Sequence, residues 1–235
     1  MKFNRRRFSR CCAAAVMCGA MSLGVAAPAS ETPQKNPAPQ VKFTTNVGDF
    51  VIEVYPDKAP KTAANFLQYV RDKFYDGTIF HRVIGDFMVQ GGGFDDQYRQ
   101  KKTRDPVPHE GLQALRAGLH NDVGSVAMAR TGDPNSATAQ FFINVVDNSR
   151  LDPVEIPEGD PIKNFEYQGR TYNDIPRAKL EGNPLLAGYT VFGRVISGMD
   201  TVEKIRRTPT GSGGPFPTDV PKNMIMIQTA RVVKK

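Results

Sequence analysis

The chain has 235 residues, enough for one large domain or two small ones, and 40% of them are apolar, so a sizeable core is possible. Its formal charge of +7 is concentrated at the front: Lys2, Arg5, Arg6, Arg7 and Arg10 stand in residues 1–29 without one acid, which leaves 26 basic against 24 acidic residues, or +2, for the rest. That near-neutral remainder has no basic stripe interleaved with aromatics and gives no support to a nucleic-acid partner; three scattered histidines, with no Cys/His spacing, argue against a metal site.

In chain order, residues 1–29 read as an export signal peptide. MKFNRRRFSR is its charged region, and CCAAAVMCGAMSLGVAA is apolar but too short and mild for a membrane span. Ala27 and Ala29 supply small residues for a cut before Ser30. Arg5-Arg6 followed by Phe8 resembles a twin-arginine signal, and an arginine-rich general secretory signal is the other reading. All three cysteines, Cys11, Cys12 and Cys18, lie in this leader, so the remainder needs no disulfide in an oxidising compartment. Residues 30–40, SETPQKNPAPQ, read as a proline-rich linker.

A single domain is expected over 41–235. VKFTTNVGDFVIEVYP reads as a hairpin about NVGD. In KAPKTAANFLQYVRDKF, Ala63, Phe66, Leu67 and Val70 recur at helical steps and give one apolar face. IFHRVI and FMVQGG read as strands about a Gly-Asp turn, and residues 95–122 as a long charged loop. GSVAMAR and AQFFINVV read as strands, followed by an inserted loop at 148–188, rich in proline and charge and without strong periodicity. YTVFGRVI is a further strand, GMDTVEKIRR a short helix, GSGG at 211–214 a surface loop and NMIMIQTARVV the closing strand. Many short strands with two good helices argue for an all-β barrel or sandwich.

The usual catalytic motifs are missing: no GxSxG, no HExxH, no P-loop. Gly91–Gly93 open no helix, and are read as letting the backbone bend at a strand end. Rotation about a peptidyl–prolyl bond needs no nucleophile or acid–base pair, because no covalent bond is made or broken. Its barrier of about 18–20 kcal/mol reflects lost amide conjugation. An apolar socket for the ring and donors for the twisted amide would suffice.

Four stretches carry a family resemblance. FHRVIGDFMVQGGGF (80–94), AMARTGDPNSATAQFFINVVDN (127–148) and YTVFGRVISGMDTVEKI (189–205), with KAPKTAANFLQYV (58–70), resemble cyclophilin-type peptidyl-prolyl cis-trans isomerases, the bacterial periplasmic branch in particular. The likeness covers most of residues 41–233. It implies an all-β fold: a closed eight-stranded antiparallel barrel capped by two α-helices, with the site on the outer surface and no cofactor. By position, Arg82 matches the catalytic arginine. Phe87, Met88, Phe142 and Leu151 match the walls of a proline pocket, and Gln90 matches the glutamine that holds the arginine and contacts substrate. Ala129, Arg130 and Gln140 match the groove for the substrate backbone, with Arg130 replacing an asparagine common in eukaryotic members. Tyr189 stands where those members often have histidine and Arg150 where they have tryptophan, a residue this chain lacks.

The resemblance implies proline-containing peptides and unfolded or folding proteins as partners. With the leader it implies an exported, periplasmic monomer with no stable membrane insertion after signal cleavage. Taken singly, the residues also fit plainer roles: Phe87, Met88 and Phe142 as core, Arg82 as a surface ion pair, His81 as structural. The inserted loop at 148–188 starts beside the pocket residue Leu151, and either overhangs the groove or is a tolerated surface insertion. A proline-peptide binding module with little turnover and a general holdase are the alternative functions.

Overall fold

A computed structural model describes residues 37–233. The expected signal peptide at 1–29 and most of the expected linker at 30–40 lie outside the described residues. In chain order the first elements are β1 (Gln40–Thr45), β2 (Gly48–Val54), α1 (Pro60–Arg71), β3 (Thr78–Ile84), β4 (Met88–Asp95), α2 (Gly111–Arg116), β5 (Ser125–Met128) and β6 (Phe141–Asn144). There follow β7 (Phe165–Tyr167), β8 (Arg170–Tyr172), α3 (Arg177–Glu181), α4 (Pro184–Ala187), β9 (Val191–Ser197), α5 (Met199–Arg206), β10 (Thr210–Gly213), β11 (Phe216–Pro221) and β12 (Met226–Val232).

Eight of the strands close a barrel in the order β1-β12-β3-β4-β6-β5-β9-β2, every neighbouring pair antiparallel. Closure removes the sheet edges that an open sheet would leave unpaired. The interior is aromatic. Phe43 stacks on Phe50 at 5.0 Å between ring centroids, and Phe66, Tyr75, Phe80, Phe141 and Phe192 pack around them at 4.8–6.4 Å. Alternation along each strand supplies these rings: in β1, Val41, Phe43 and Thr45 are buried, whereas Lys42 is exposed.

The two longer helices cover this barrel as the sequence suggests. α1 buries Ala63, Phe66, Leu67 and Val70 and packs against β12 and β9, while α5 packs against β2, β3 and β4. α1 starts with Pro60 in its first turn, but its N-cap is Ala59, which offers no side-chain acceptor. A carboxylate 50 residues away fills the gap. Glu110, 6% exposed, accepts from the amides of Lys61 at 3.0 Å and Thr62 at 2.8 Å. An anion at a helix N-terminus satisfies orphan amides and opposes the positive end of the dipole.

Two expectations are corrected. Within the loop expected at 95–122, residues Gly111–Arg116 form the short helix α2, which follows Glu110 directly. The segment 148–188 is folded rather than a loop without structure. A β7–β8 hairpin turns at Gln168 and Gly169, both with positive φ, as a tight right-twisted hairpin requires. Ile162, Phe165, Leu180 and Leu186 form a second small core with Val154, Ile156, Tyr167, Tyr172 and Ile175 against it. These apolar residues come from a hairpin, two one-turn helices and connecting chain, so no single period marks them in the sequence. The insertion is fastened at its base: Tyr189 N donates to Leu151 O at 3.0 Å, and Asp152 accepts from the backbone and side-chain nitrogens of Asn121 at 2.8 and 2.9 Å.

The long-range cap makes a stability prediction. Glu110→Ala leaves the buried Thr62 amide and the partly buried Lys61 amide at the start of α1 without an acceptor. The expected cost is about 2 kcal/mol, a fall in Tm of roughly 4–8 °C, read from thermal unfolding. A Tm within about 1 °C of the parent's, well below the roughly 4–8 °C expected, contradicts this account of the helix start.

Candidate active site

The site begins with strand register. Arg82 on β3 lies opposite Gln90 on β4, and Gln90 lies opposite Phe142 on β6, so three site residues form one row across three strands. A regular strand would point His81 and Arg82 to opposite faces. Instead the register shifts between Phe80 and Arg82, which face the consecutive residues Gly91 and Gln90, so His81 is an extra residue in β3. Both His81 and Arg82 consequently line one external cavity of about 530 Å³. The glycine run is needed for close packing inside β4 rather than for an end bend. Gly92 has φ +81 under Tyr75 and Phe141, and a Cβ on Gly93 would lie 2.3 Å from Gln140 Cγ.

The structure brings all ten residues anticipated from the sequence to that cavity. Phe87, Met88, Phe142 and Leu151 form its apolar part, and Met88 and Phe142 are at the same time part of the barrel's hydrophobic cluster. Arg82, Gln90 and Gln140 form a polar edge joined by hydrogen bonds: Arg82 Nη1 donates to Gln90 Oε1 at 3.5 Å, and Gln90 Nε2 donates to Gln140 Oε1 at 3.0 Å. Ala129, Arg130 and Tyr189 form the far wall, where Tyr189 stands edge-on to Phe142 at 5.4 Å.

Two arginines are spoken for. Arg130 lies over the Tyr189 ring at 4.6 Å, and its guanidinium donates to Thr131 O, Pro184 O and Gly188 O at 2.8–3.0 Å. It thus ties the end of the insertion to the cavity wall, and its donors are committed to that task. Arg150 lies over Phe87 at 5.1 Å and covers the outer face of that ring. Of the insertion at 148–188, Leu151 lines the cavity and residues 152–188 do not.

The sequence reading missed Phe94 and a wall formed by Phe216, Pro217, Thr218 and Asp219, and His81, read as structural, also lines the cavity. These last four belong to β11, which pairs with β10 in a ribbon outside the barrel and runs against β3. The ribbon contains the Gly211–Gly214 stretch expected to be a surface loop. GGP between Ser212 and Phe216 was the available hairpin signal. Phe216 docks the ribbon against His81 at 5.4 Å and Phe94 at 5.1 Å.

His81 is 4% exposed, and its Nδ1 has no hydrogen-bond partner. Burial, reinforced by the adjacent Arg82 cation, lowers its pKa to about 4 against a backbone interaction at Ile79 that raises it. The ring is therefore neutral near pH 7, and Arg82 is the cation of this edge. Among the described residues no group of three or more His, Cys, Asp or Glu could hold a metal, and no helix is long and apolar enough to cross a membrane.

Residues 40–232 match the family described as "Cyclophilin type peptidyl-prolyl cis-trans isomerase/CLD". The chain belongs to the cyclophilin family. It is 45% identical over 192 residues to peptidyl-prolyl cis-trans isomerase B of Escherichia coli (strain K12), covering 82% of this chain and 98% of that protein. It is 44% identical over 193 residues to peptidyl-prolyl cis-trans isomerase cyp18 of Streptomyces antibioticus, again 82% and 98% of the two chains. A crystal structure of a cyclophilin type isomerase of Cryptosporidium parvum, determined in the presence of the dipeptide Ala-Pro, shares the fold with a TM-score of 0.51 at 24% identity, over 83% of this chain and 99% of that one. The activity of this cyclophilin is accordingly peptidyl-prolyl cis-trans isomerisation.

The buried histidine predicts a pH dependence of stability. An unfolded histidine titrates near pH 6.5 and His81 near 4, so between these values the unfolded chain binds more protons. Stability is present above about pH 6.5 and falls with pH through that window, by about 3 kcal/mol from this residue. His109, also lowered, mainly by burial, adds to the slope in the same direction. Denaturant unfolding at pH 7 and pH 4 should show most of the slope removed by His81→Gln; an unchanged slope contradicts a neutral buried His81.

Proposed function

We propose that this cyclophilin is exported to the periplasm and isomerises Xaa-Pro bonds in proline-containing peptides and in unfolded or folding exported proteins, with Arg82 as its catalytic residue. The observation that carries the reading is the placement of the Arg82 fork. It stands at the edge of an apolar socket, 45% exposed in its side chain, with one arm on Gln90. Phe87, Met88, Phe142 and Leu151 take the pyrrolidine ring. Gln90, Gln140 and the Ala129 region hold the substrate backbone. As the amide twists, its nitrogen regains a lone pair, and the guanidinium donates toward it. That contact strengthens only as conjugation is lost, so it favours the transition state over either planar isomer. Lowering the barrier of about 18–20 kcal/mol by about 7 kcal/mol accelerates rotation roughly 10⁵-fold.

The basic run at Arg5–Arg10, the apolar stretch and Ala27–Ala29 support export, by a twin-arginine or a general secretory route. The absence of cysteine after Cys18 suits an oxidising compartment. Barrel closure leaves open strand edges only in the short β7–β8 and β10–β11 ribbons among the described residues, which supports a monomer. The near-neutral charge beyond residue 29 supports a protein rather than a nucleic-acid client.

Arg82→Ala should lower the isomerisation rate of a short Xaa-Pro peptide by about 10²–10³-fold, the scale of one preorganised donor. Arg82→Lys keeps the charge, loses the planar fork and should be severely impaired as well. Tm should barely move in either variant, because a half-exposed arginine contributes little to folding. Exchange NMR beside a melting curve measures both. Near-normal exchange in folded Arg82→Ala would remove Arg82 from the reaction, whereas negligible exchange in the parent would favour a binding module.

A further inference from the structure

The geometry points to Asp219 as a positioning residue for the isomerase reaction, holding the Arg82 guanidinium from the side opposite Gln90. This inference rests on Arg82 as the catalytic group. Asp219 Oδ2 lies 3.9 Å from Arg82 Nε, and both side chains line the cavity. Among the described residues each is the other's ion-pair partner, and neither has a second. Gln90 takes the fork at Nη1 and Asp219 faces it at Nε, so Nη2 is left for substrate. The Gln90 contact, at 3.5 Å, is at the long end of hydrogen bonding and is a weak restraint by itself. A second, charged restraint reduces the orientations the fork can sample before it meets the twisting amide.

The ribbon is shaped to present this carboxylate. Gly211 pairs with Val220 and Gly213 with Phe216, so Ser212 alone on β10 faces Pro217, Thr218 and Asp219 on β11. Two extra residues make a bulge, and bulges beside active sites re-aim side chains. Asp219 itself has φ +65, a conformation few non-glycine residues adopt and one that aspartate tolerates better than most. Thr218 Oγ1 donates to the same Oδ2 at 3.2 Å and helps fix its direction. The docking of Phe216 on His81 and Phe94 ties the bulge to the bulged part of β3, so the two irregular segments meet where Arg82 stands.

Asp219→Asn keeps the shape and the left-handed backbone but removes the charge; Asp219→Gly removes the side chain and adopts that backbone freely. Exchange NMR with a titrated Xaa-Pro peptide separates the on-enzyme isomerisation rate from the peptide Kd. Both variants should lose about 2- to 5-fold in the on-enzyme rate, the scale of one partly exposed ion pair, with Kd changed less than about 1.5-fold. In an Arg82→Lys background, which lacks the fork, Asp219→Asn should cause no further loss. A structural role would lower both backgrounds equally, and that result overturns the inference. An unchanged rate in Asp219→Asn and Asp219→Gly, with Arg82→Ala still inactive, overturns it while leaving Arg82 in place. Near-normal activity in Arg82→Ala removes the premise itself.

Discussion

The site depends on one irregularity in the barrel, the extra residue that β3 carries at His81. Without it, a period of two would send His81 and Arg82 to opposite faces of the sheet. With it, the histidine ring packs at a tilt against Phe94 and Phe216, and the arginine stands over the groove opposite Gln90. The bulge has a thermodynamic consequence as well. It buries an imidazole with an unpartnered Nδ1, whose basicity is depressed by burial and by the adjacent Arg82 cation. A buried polar atom without a partner costs stability, and that cost is tolerated where the local geometry serves the chemistry.

The rest of the fold keeps that irregularity in place. The aromatic interior fixes β3, β4 and β6 relative to each other, because Phe80 and Phe141 interlock with Phe43 and Tyr75 behind the groove. Glycine at 92 and 93 lets Tyr75, Phe141 and Gln140 approach β4 closely enough for the Gln90–Gln140 link to form. The insertion is a separate elaboration with its own small core. It touches the site through Leu151 at its start and through Arg130, whose donors hold Pro184 and Gly188 at its end. A cation that could have met substrate is instead used to seal the base of an added module.

The sequence made some of this legible and not the rest, for physical reasons. Arg82, Phe87, Met88 and Gln90 lie within nine residues, so their grouping in one cavity is nearly guaranteed by a single hairpin. Ala63, Phe66, Leu67 and Val70 revealed their helix because one buried face imposes a period. Phe216 and Asp219 gave no such signal. They sit in a glycine- and proline-rich ribbon whose bulge breaks alternation, and their proximity to Arg82 is a tertiary contact across more than a hundred residues. The insertion concealed its core for a similar reason: Phe165, Leu180 and Leu186 come from three short elements. The direction of the Arg130 donors was also invisible, because only the fold brings the carbonyl of Gly188 to them.

The central claim is that strand register sets a guanidinium over an apolar socket where a prolyl ring sits. A crystal structure with a short Xaa-Pro peptide tests it most directly. The account predicts the ring against Phe87, Met88, Phe142 and Leu151, with Arg82 within about 3.2 Å of the substrate carbonyl oxygen or the prolyl nitrogen. A ring seated elsewhere, such as in the insertion's cleft between Phe165 and Leu186, or an Arg82 turned out of hydrogen-bond reach of the bound peptide, would contradict it.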